Sequence, residues 1–168
     1  ELIRTAKREG KEKIGLIIQT IGSTGIRISE LPSITVQAVK NGVAEVDCKG
    51  KNRQVLLPRK LLVKLMYYIR KEHIQCGPIF ITKQGNPLDR SNIWKEMKKI
   101  CRLAGVNEKK VFPHNLRHLF AYSFYQMEKD IAKLADLLGH SNINTTRIYI
   151  VSSGVEHRKQ IEKMNLLL

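Results

Sequence analysis

Ile34-Thr-Val-Gln-Ala-Val-Lys-Asn-Gly-Val-Ala-Glu-Val-Asp-Cys-Lys-Gly-Lys-Asn-Arg-Gln-Val-Leu-Leu57 is the stretch on which the fold class turns. Ile34 to Val39, then Asn41-Gly42, then Val43 to Asp47 reads as a β-hairpin, because Asn-Gly tolerates the positive φ that tight hairpin turns require. Gln54 to Leu57 returns as a third strand after a basic turn, Lys49 to Arg53. A small antiparallel sheet is therefore expected near the middle of the N-terminal half.

On both sides of this segment the pattern is helical. Glu1 to Lys13 is a charged helical stretch, and Lys13 to Gly22 carries Ile14, Ile17, Ile18 and Ile21 at helical spacing before Gly22, Ser23 and Gly25. A short helical turn then precedes Pro32. Beyond Pro58, helices are predicted over Leu61 to His73, from a Ser91 cap to about Ala104, and over His114 to Met127, Ile131 to Leu138, Ile143 to about Val151 and Val155 to Met164. Gly139 and Gly154 serve as terminators, and a brief strand is expected at Ile79 to Thr82. The fold class is α+β: a mostly helical domain with a small three-stranded antiparallel sheet, spanning residues 1–168 as one domain. Because the first residue is Glu1 and the first charged helix has no upstream partner, a fragment of a longer protein is expected.

Composition narrows the function. The 30 Lys and Arg exceed the 15 Asp and Glu, for a formal charge of +15, while 42% hydrophobic residues argue against disorder. The positive residues are dense at Arg4 to Lys13, Lys49 to Lys60 and Lys95 to Lys110, which describes a folded basic surface. Nucleic acid is the commonest partner for such a surface. No apolar run approaches the roughly 18–20 residues of a membrane span, and no signal-peptide pattern opens the chain. Cys48, Cys76 and Cys101 are odd in number and lack CxxC spacing, so neither a disulfide framework nor a zinc ribbon is indicated. The expected location is cytoplasmic and nucleoid-associated.

Four stretches remain once periodicity has accounted for the apolar positions. They are Thr24-Gly-Ile-Arg-Ile-Ser-Glu-Leu31, the Lys49 turn, His114-Asn-Leu-Arg-His118, and Leu138-Gly-His140 followed nine residues later by Tyr149. Together and in this order they resemble the catalytic domain of the tyrosine recombinases, the phage-integrase and Xer-like family. The resemblance covers about the whole chain. It implies a site made of Arg27, Lys49, His114, Arg117, His140 and Tyr149, supported by Glu30.

Each residue type suits the chemistry for a reason independent of the family. A phosphodiester resists attack because its oxygens are anionic, and charge builds further in the transition state. Two guanidiniums, Arg27 and Arg117, can grip the non-bridging oxygens through charge-assisted hydrogen bonds, so no metal and no other cofactor is expected. Tyr149 is the expected nucleophile, since a phenolate, with a pKa of about 10, is a better leaving group than an alkoxide and makes its phosphotyrosine link reversible. His114 and Arg117, three residues apart, share one helix face. The resemblance implies proton handling by His114 at the Tyr149 hydroxyl and a hydrogen bond from His140 to a non-bridging oxygen. His118 is assigned to packing. A zinc reading of His114, His118 and His140 fails for want of an HExxH glutamate and because Arg117 would place a positive charge beside the metal.

A lysine at the hairpin tip would protonate the leaving 5′ oxygen. Lys49 aligns best from the strand side and Lys51 when counted back from Pro58; Lys49 is preferred, leaving Lys51 and Arg53 as DNA contacts. Glu30, three residues after Arg27, would hold its guanidinium or link it to the hairpin. The resemblance further implies double-stranded DNA as partner, a 3′-phosphotyrosyl intermediate, an N-terminal core-binding domain that this chain lacks, and a homo-oligomer, a tetramer on DNA, joined through the segment ending in Leu166-Leu167-Leu168. Two rivals stand beside this reading: a non-catalytic DNA-binding module of the same fold, and a type IB topoisomerase-like enzyme.

Overall fold

The structure, a computed structural model, describes residues 1–48, 51–82, 84–109, 111–149 and 163. Helices α1 (Leu2–Arg8) and α2 (Glu12–Thr24) open the chain. A 3₁₀ helix (Ile28–Ser33) and helix α3 (Val36–Asn41) lead into strands β1 (Val43–Cys48) and β2 (Lys51–Leu56). Helices α4 (Arg59–Lys71), α5 (Arg90–Leu103), α6 (Pro113–Glu128), α7 (Ile131–Leu138) and the single turn α8 (Asn144–Arg147) follow.

Helix α2 is the axis of the fold. Ile14, Leu16, Ile17, Ile18 and Ile21 are all buried, on more than one face, because α1, α4, α5 and α6 pack around it. Thr20 and Thr24, also buried, spend their hydroxyls on the carbonyls of Leu16 and Thr20, at 2.8 and 2.7 Å. A second, smaller cluster of Ala121, Leu134, Leu138 and Tyr149, flanked by Phe120, Phe124 and Tyr125, lies between α6, α7 and α8.

The sheet has two strands among the described residues, and the strand expected at Ile34 to Val39 is helix α3. Thr35 decides the difference: its side chain accepts a hydrogen bond from Ala38 N at 3.0 Å, capping a helix N-terminus. Gly42, at φ 74°, then ends that helix in the left-handed conformation, so Asn41-Gly42 is a helix stop leading into β1 and not a hairpin turn. The β1–β2 hairpin runs antiparallel from Val43↔Leu56 to Cys48↔Lys51. The expected basic turn over Lys49 to Arg53 is therefore shorter, with Lys51 to Arg53 already in β2.

Other expectations shift slightly. Asp89, not Ser91, caps α5, accepting from Ser91 N and Asn92 N at 2.9 and 3.2 Å. Ile79 to Thr82 forms no named strand, and Ile81 makes an isolated bridge with Pro87. Helix α8 covers Asn144–Arg147, within the first half of the helix expected from Ile143 to about Val151. The helix expected over Val155 to Met164 and the terminator at Gly154 fall outside the described residues, Lys163 excepted. No helix among the described residues is long and apolar enough to cross a membrane.

Candidate active site

Two helix C-termini aim their last carbonyls at one buried guanidinium. Gly25 closes α2 and Leu138 ends α7, leaving carbonyls that no further helical turn satisfies. Arg117, near the start of α6 and 4% exposed, donates from Nη1 to Gly25 O and from Nη2 to Leu138 O at 2.7 Å. The negative ends of two helix dipoles thus compensate a charge that burial penalises. Burial pushes the Arg117 pKa down to about 10, and the positive charges of Arg27 and Arg53 add to that; the group stays protonated at neutral pH.

Glu30 gathers the other two arginines. Arg27 Nη1 donates to Glu30 Oε1 at 2.7 Å and Arg27 N to Oε2 at 2.8 Å, closing the N-terminus of the 3₁₀ helix. Arg53 Nη2 donates to Oε2 at 2.5 Å, and its Nη1 reaches Leu137 O at 2.8 Å. Arg53 was expected to face DNA; its side chain is instead 8% exposed and spans from the hairpin to the end of α7, whereas Arg27 is 32% exposed. The reason is strand parity: Arg53 lies two residues before buried Val55 and shares its inward face.

Both glycines at these turns are required by space as well as by φ. A Cβ on Gly139 (φ 65°) would lie 2.3 Å from Arg53 Cδ, and one on Gly25 (φ 65°) would lie 2.5 Å from Phe120 Cδ1.

His140 follows Gly139 and completes the network. Its Nε2 lies 3.0 Å from Arg117 Nη2, and its Nδ1 lies 2.9 Å from Thr146 Oγ1. A guanidinium can only donate, so Nε2 accepts, the proton of the neutral ring is on Nδ1, and Thr146 accepts it. Burial, reinforced by Arg117, Arg27 and Arg53, pushes the His140 pKa down to about 4 from 6.5. The unfolded chain takes up this proton near pH 6.5 and the folded chain only near 4, so the fold loses stability as pH falls through that window, at up to about 1.4 kcal/mol per pH unit. The measurement is urea unfolding from pH 7 to 4, in which the loss should shrink in His140→Asn; equal slopes for the two proteins would refute the assignment.

Tyr149 sits at the end of the network, 4% exposed. Its ring meets His118 edge-on at 4.4 Å between centroids, stacks with His140 at 5.9 Å and 16°, and lies 6.3 Å from the ring of His114. His118, assigned to packing, thus packs on Tyr149 itself; burial and the nearby His114 push its pKa down. His114 is exposed on the first turn of α6.

The fold therefore brings Arg27, Glu30, Arg53, His114, Arg117, His140 and Tyr149 into one connected cluster. Lys49 lies outside the described residues, and Lys51 is placed only as backbone in β2, paired with Cys48. Thr146 is a participant that sequence reasoning missed. Its carbonyl accepts the amide of Tyr149 at 3.1 Å, a contact that the sequence does not mark. Among the described residues no group of three or more His, Cys, Asp or Glu side chains could hold a metal ion.

Two arginines paired with one carboxylate, a third buried between two helix ends, and histidines beside a buried tyrosine make up the site. The phage integrase family model matches residues 1–154, and the chain belongs to that family. It is 30% identical over 166 residues to the tyrosine recombinase XerA of Pyrococcus furiosus, covering 94% of this chain and 57% of that one. To the tyrosine recombinase XerH of Campylobacter jejuni it is 32% identical over 140 residues, covering 80% and 40%. The chain thus spans about half the length of these relatives. Among solved structures, the crystal structure of XerA recombinase superposes with a TM-score of 0.80 at 24% identity, over 99% of this chain and 61% of that one. The XerH site-specific recombinase bound to difH substrate in a pre-cleavage complex gives 0.76 at 25% identity, over 95% and 50%.

Proposed function

We propose that the chain is the catalytic domain of a site-specific DNA recombinase that cuts and rejoins duplex DNA by transesterification. The observation that carries this is the convergence of Arg27, Arg117, His140 and His114 beside Tyr149, in a family whose member XerH is solved on its difH substrate. Tyr149 Oη attacks the scissile phosphorus, its proton passing to His114. The 5′ oxygen departs with a proton from the hairpin lysine. A 3′-phosphotyrosyl link and a free 5′-hydroxyl remain. Arg27 and Arg117 neutralise the non-bridging oxygens, and charge-assisted donors of this kind are worth most where water is excluded. Glu30 and Arg53 position these groups: they tie the hairpin to Arg27 and to the end of α7. A core-binding domain preceding the chain and a tetramer joined through the C-terminal segment complete the proposal.

The test uses the full-length protein and a nicked duplex carrying its recombination site, in excess chelator. Wild type should trap a covalent adduct that survives denaturation, and Tyr149→Phe should bind the same duplex yet trap none. An undiminished adduct in Tyr149→Phe would remove the nucleophile from this position, and an adduct that needs added magnesium would remove the metal-free mechanism. A non-catalytic DNA-binding module would bind and never trap.

The general acid is assigned by a substrate whose bridging 5′ oxygen is replaced by sulfur. A thiolate leaves without a proton, so the variant lacking the true acid should recover on it. Lys49→Ala is expected to be slow on normal DNA and near wild type on the sulfur substrate, with Lys51→Ala weakened alike on both. Rescue of Lys51→Ala instead would move the role to Lys51.

A further inference from the structure

The DNA-free geometry of His140 conflicts with the donor role toward a non-bridging oxygen that the family resemblance implies for it. Its Nε2 accepts from Arg117 Nη2, so it carries a lone pair where a phosphate oxygen would need a proton. Protonating the ring would supply one, but the groups facing it are the cations Arg117, Arg27 and Arg53 and the stacked ring of Tyr149. A phosphodiester brings one negative charge into a cluster whose three guanidiniums face the single charge of Glu30, so the ring's surroundings stay positive.

We infer that Thr146 is a positioning residue whose hydroxyl lets His140 exchange tautomers when phosphate arrives. In the free protein the hydroxyl oxygen accepts from Nδ1–H. When a phosphate oxygen draws Arg117 Nη2 away from Nε2, the hydroxyl rotates about its C–O bond and donates to the bare Nδ1, and the ring presents Nε2–H to the phosphate. One proton leaves Nδ1 to a water molecule and one arrives at Nε2 from another. Thr146 keeps its own, and no net proton is taken up.

Three features fit Thr146 for this. It is fully buried, and its hydroxyl lies 2.9 Å from Nδ1. A hydroxyl both donates and accepts, which neither an amide oxygen nor a methyl group can do. Its carbonyl also accepts the amide of Tyr149 at 3.1 Å, so the same residue fixes the ring and the backbone that carries the nucleophile.

The inference rests on the phosphate-handling reading, and the test separates the two. With the imidazole nitrogens labelled with ¹⁵N, the chain should show His140 protonated on Nδ1 and bare on Nε2 at neutral pH. Adding inorganic phosphate, and separately the duplex carrying the recombination site, should move the proton to Nε2. Thr146→Ser should retain the exchange and Thr146→Val should lose it; a purely structural role would lower stability in Thr146→Val without affecting the exchange. Should Thr146→Val not fold, the wild-type titration and Thr146→Ser decide. A ring that becomes protonated on both nitrogens, or that stays Nδ1–H at every concentration of either probe, overturns the inference. Adduct formation with a ring that stays Nδ1–H overturns it and leaves the chemistry standing, whereas exchange in a chain that forms no adduct upholds it and overturns the chemistry.

Discussion

Arg117→Ala should lower the free energy of unfolding by about 2–4 kcal/mol and slow cleavage by at least ~10²–10³-fold. The stability loss follows from what the guanidinium leaves behind: two helix-terminal carbonyls, Gly25 O and Leu138 O, and the Nε2 of His140, all without a donor in a place that water reaches poorly. Relief of repulsion from Arg27 and Arg53 offsets part of this, which keeps the estimate below the sum of its parts. Arg117→Lys keeps the charge but presents it as a point, and an ammonium does not bridge two carbonyls and a ring nitrogen as a planar fork does. It should therefore recover some stability and little cleavage. Urea unfolding and single-turnover cleavage measured on the same samples check both halves. If Arg117→Ala were as stable as wild type, the two carbonyls would have other partners and the bracing role would fall.

Gly139→Ala should be the most damaging of the glycine substitutions. Left-handed backbone costs an alanine about 1 kcal/mol wherever it occurs. At Gly139 the new methyl also lands 2.3 Å from Arg53 Cδ, on a side chain whose guanidinium is held by Glu30 through Nη2 and by Leu137 O through Nη1. Moving Arg53 aside breaks a buried ion pair, for which about 3–5 kcal/mol is typical. Gly10 is the control, with the same φ of 65° and no atom within 4 Å of the place a methyl would take. Thermal unfolding of the two variants should differ by several kcal/mol, and equal losses would show that Arg53 yields freely.

The helices were legible where burial alone dictates spacing. Ile14, Ile17, Ile18 and Ile21 can face the core together only on a helix, and α2 follows them. Ile34, Val36 and Val39 were ambiguous: the first two are spaced for a strand and the last two for a helix, and the Thr35 cap tips the balance. At α5 two residues able to cap lie two apart, and the bonds to Asp89 settle which one does. The candidate site was legible as an ordered set of motifs, and the fold gathers Arg27, Glu30, Arg53, His114, Arg117, His140 and Tyr149 in one region. The inward turn of Arg53 was hidden by reading Lys49 to Arg53 as loop, since strand parity has meaning only once the strand is recognised. Thr146 was hidden because nothing in a sequence marks which hydroxyl will meet a ring nitrogen.

The anion cradle and the tyrosine rest on supports of very different stiffness. Arg27, Arg53 and Arg117 start from the 3₁₀ helix, the hairpin and α6 and are held at the ends of α2 and α7, with α2 and the hairpin in the main core and α7 in the smaller cluster that Tyr149 shares. Tyr149 follows a helix of four residues, far below the length at which a helix sustains itself, and among residues 141–149 only Thr146 and Tyr149 are buried. Freeing the phenol from the cradle is thus an opening that removes Tyr149 from the smaller cluster and leaves the main core in place. The thermodynamic cost of presenting or withdrawing the attacking group is in this way uncoupled from the stability of the molecule that holds the target.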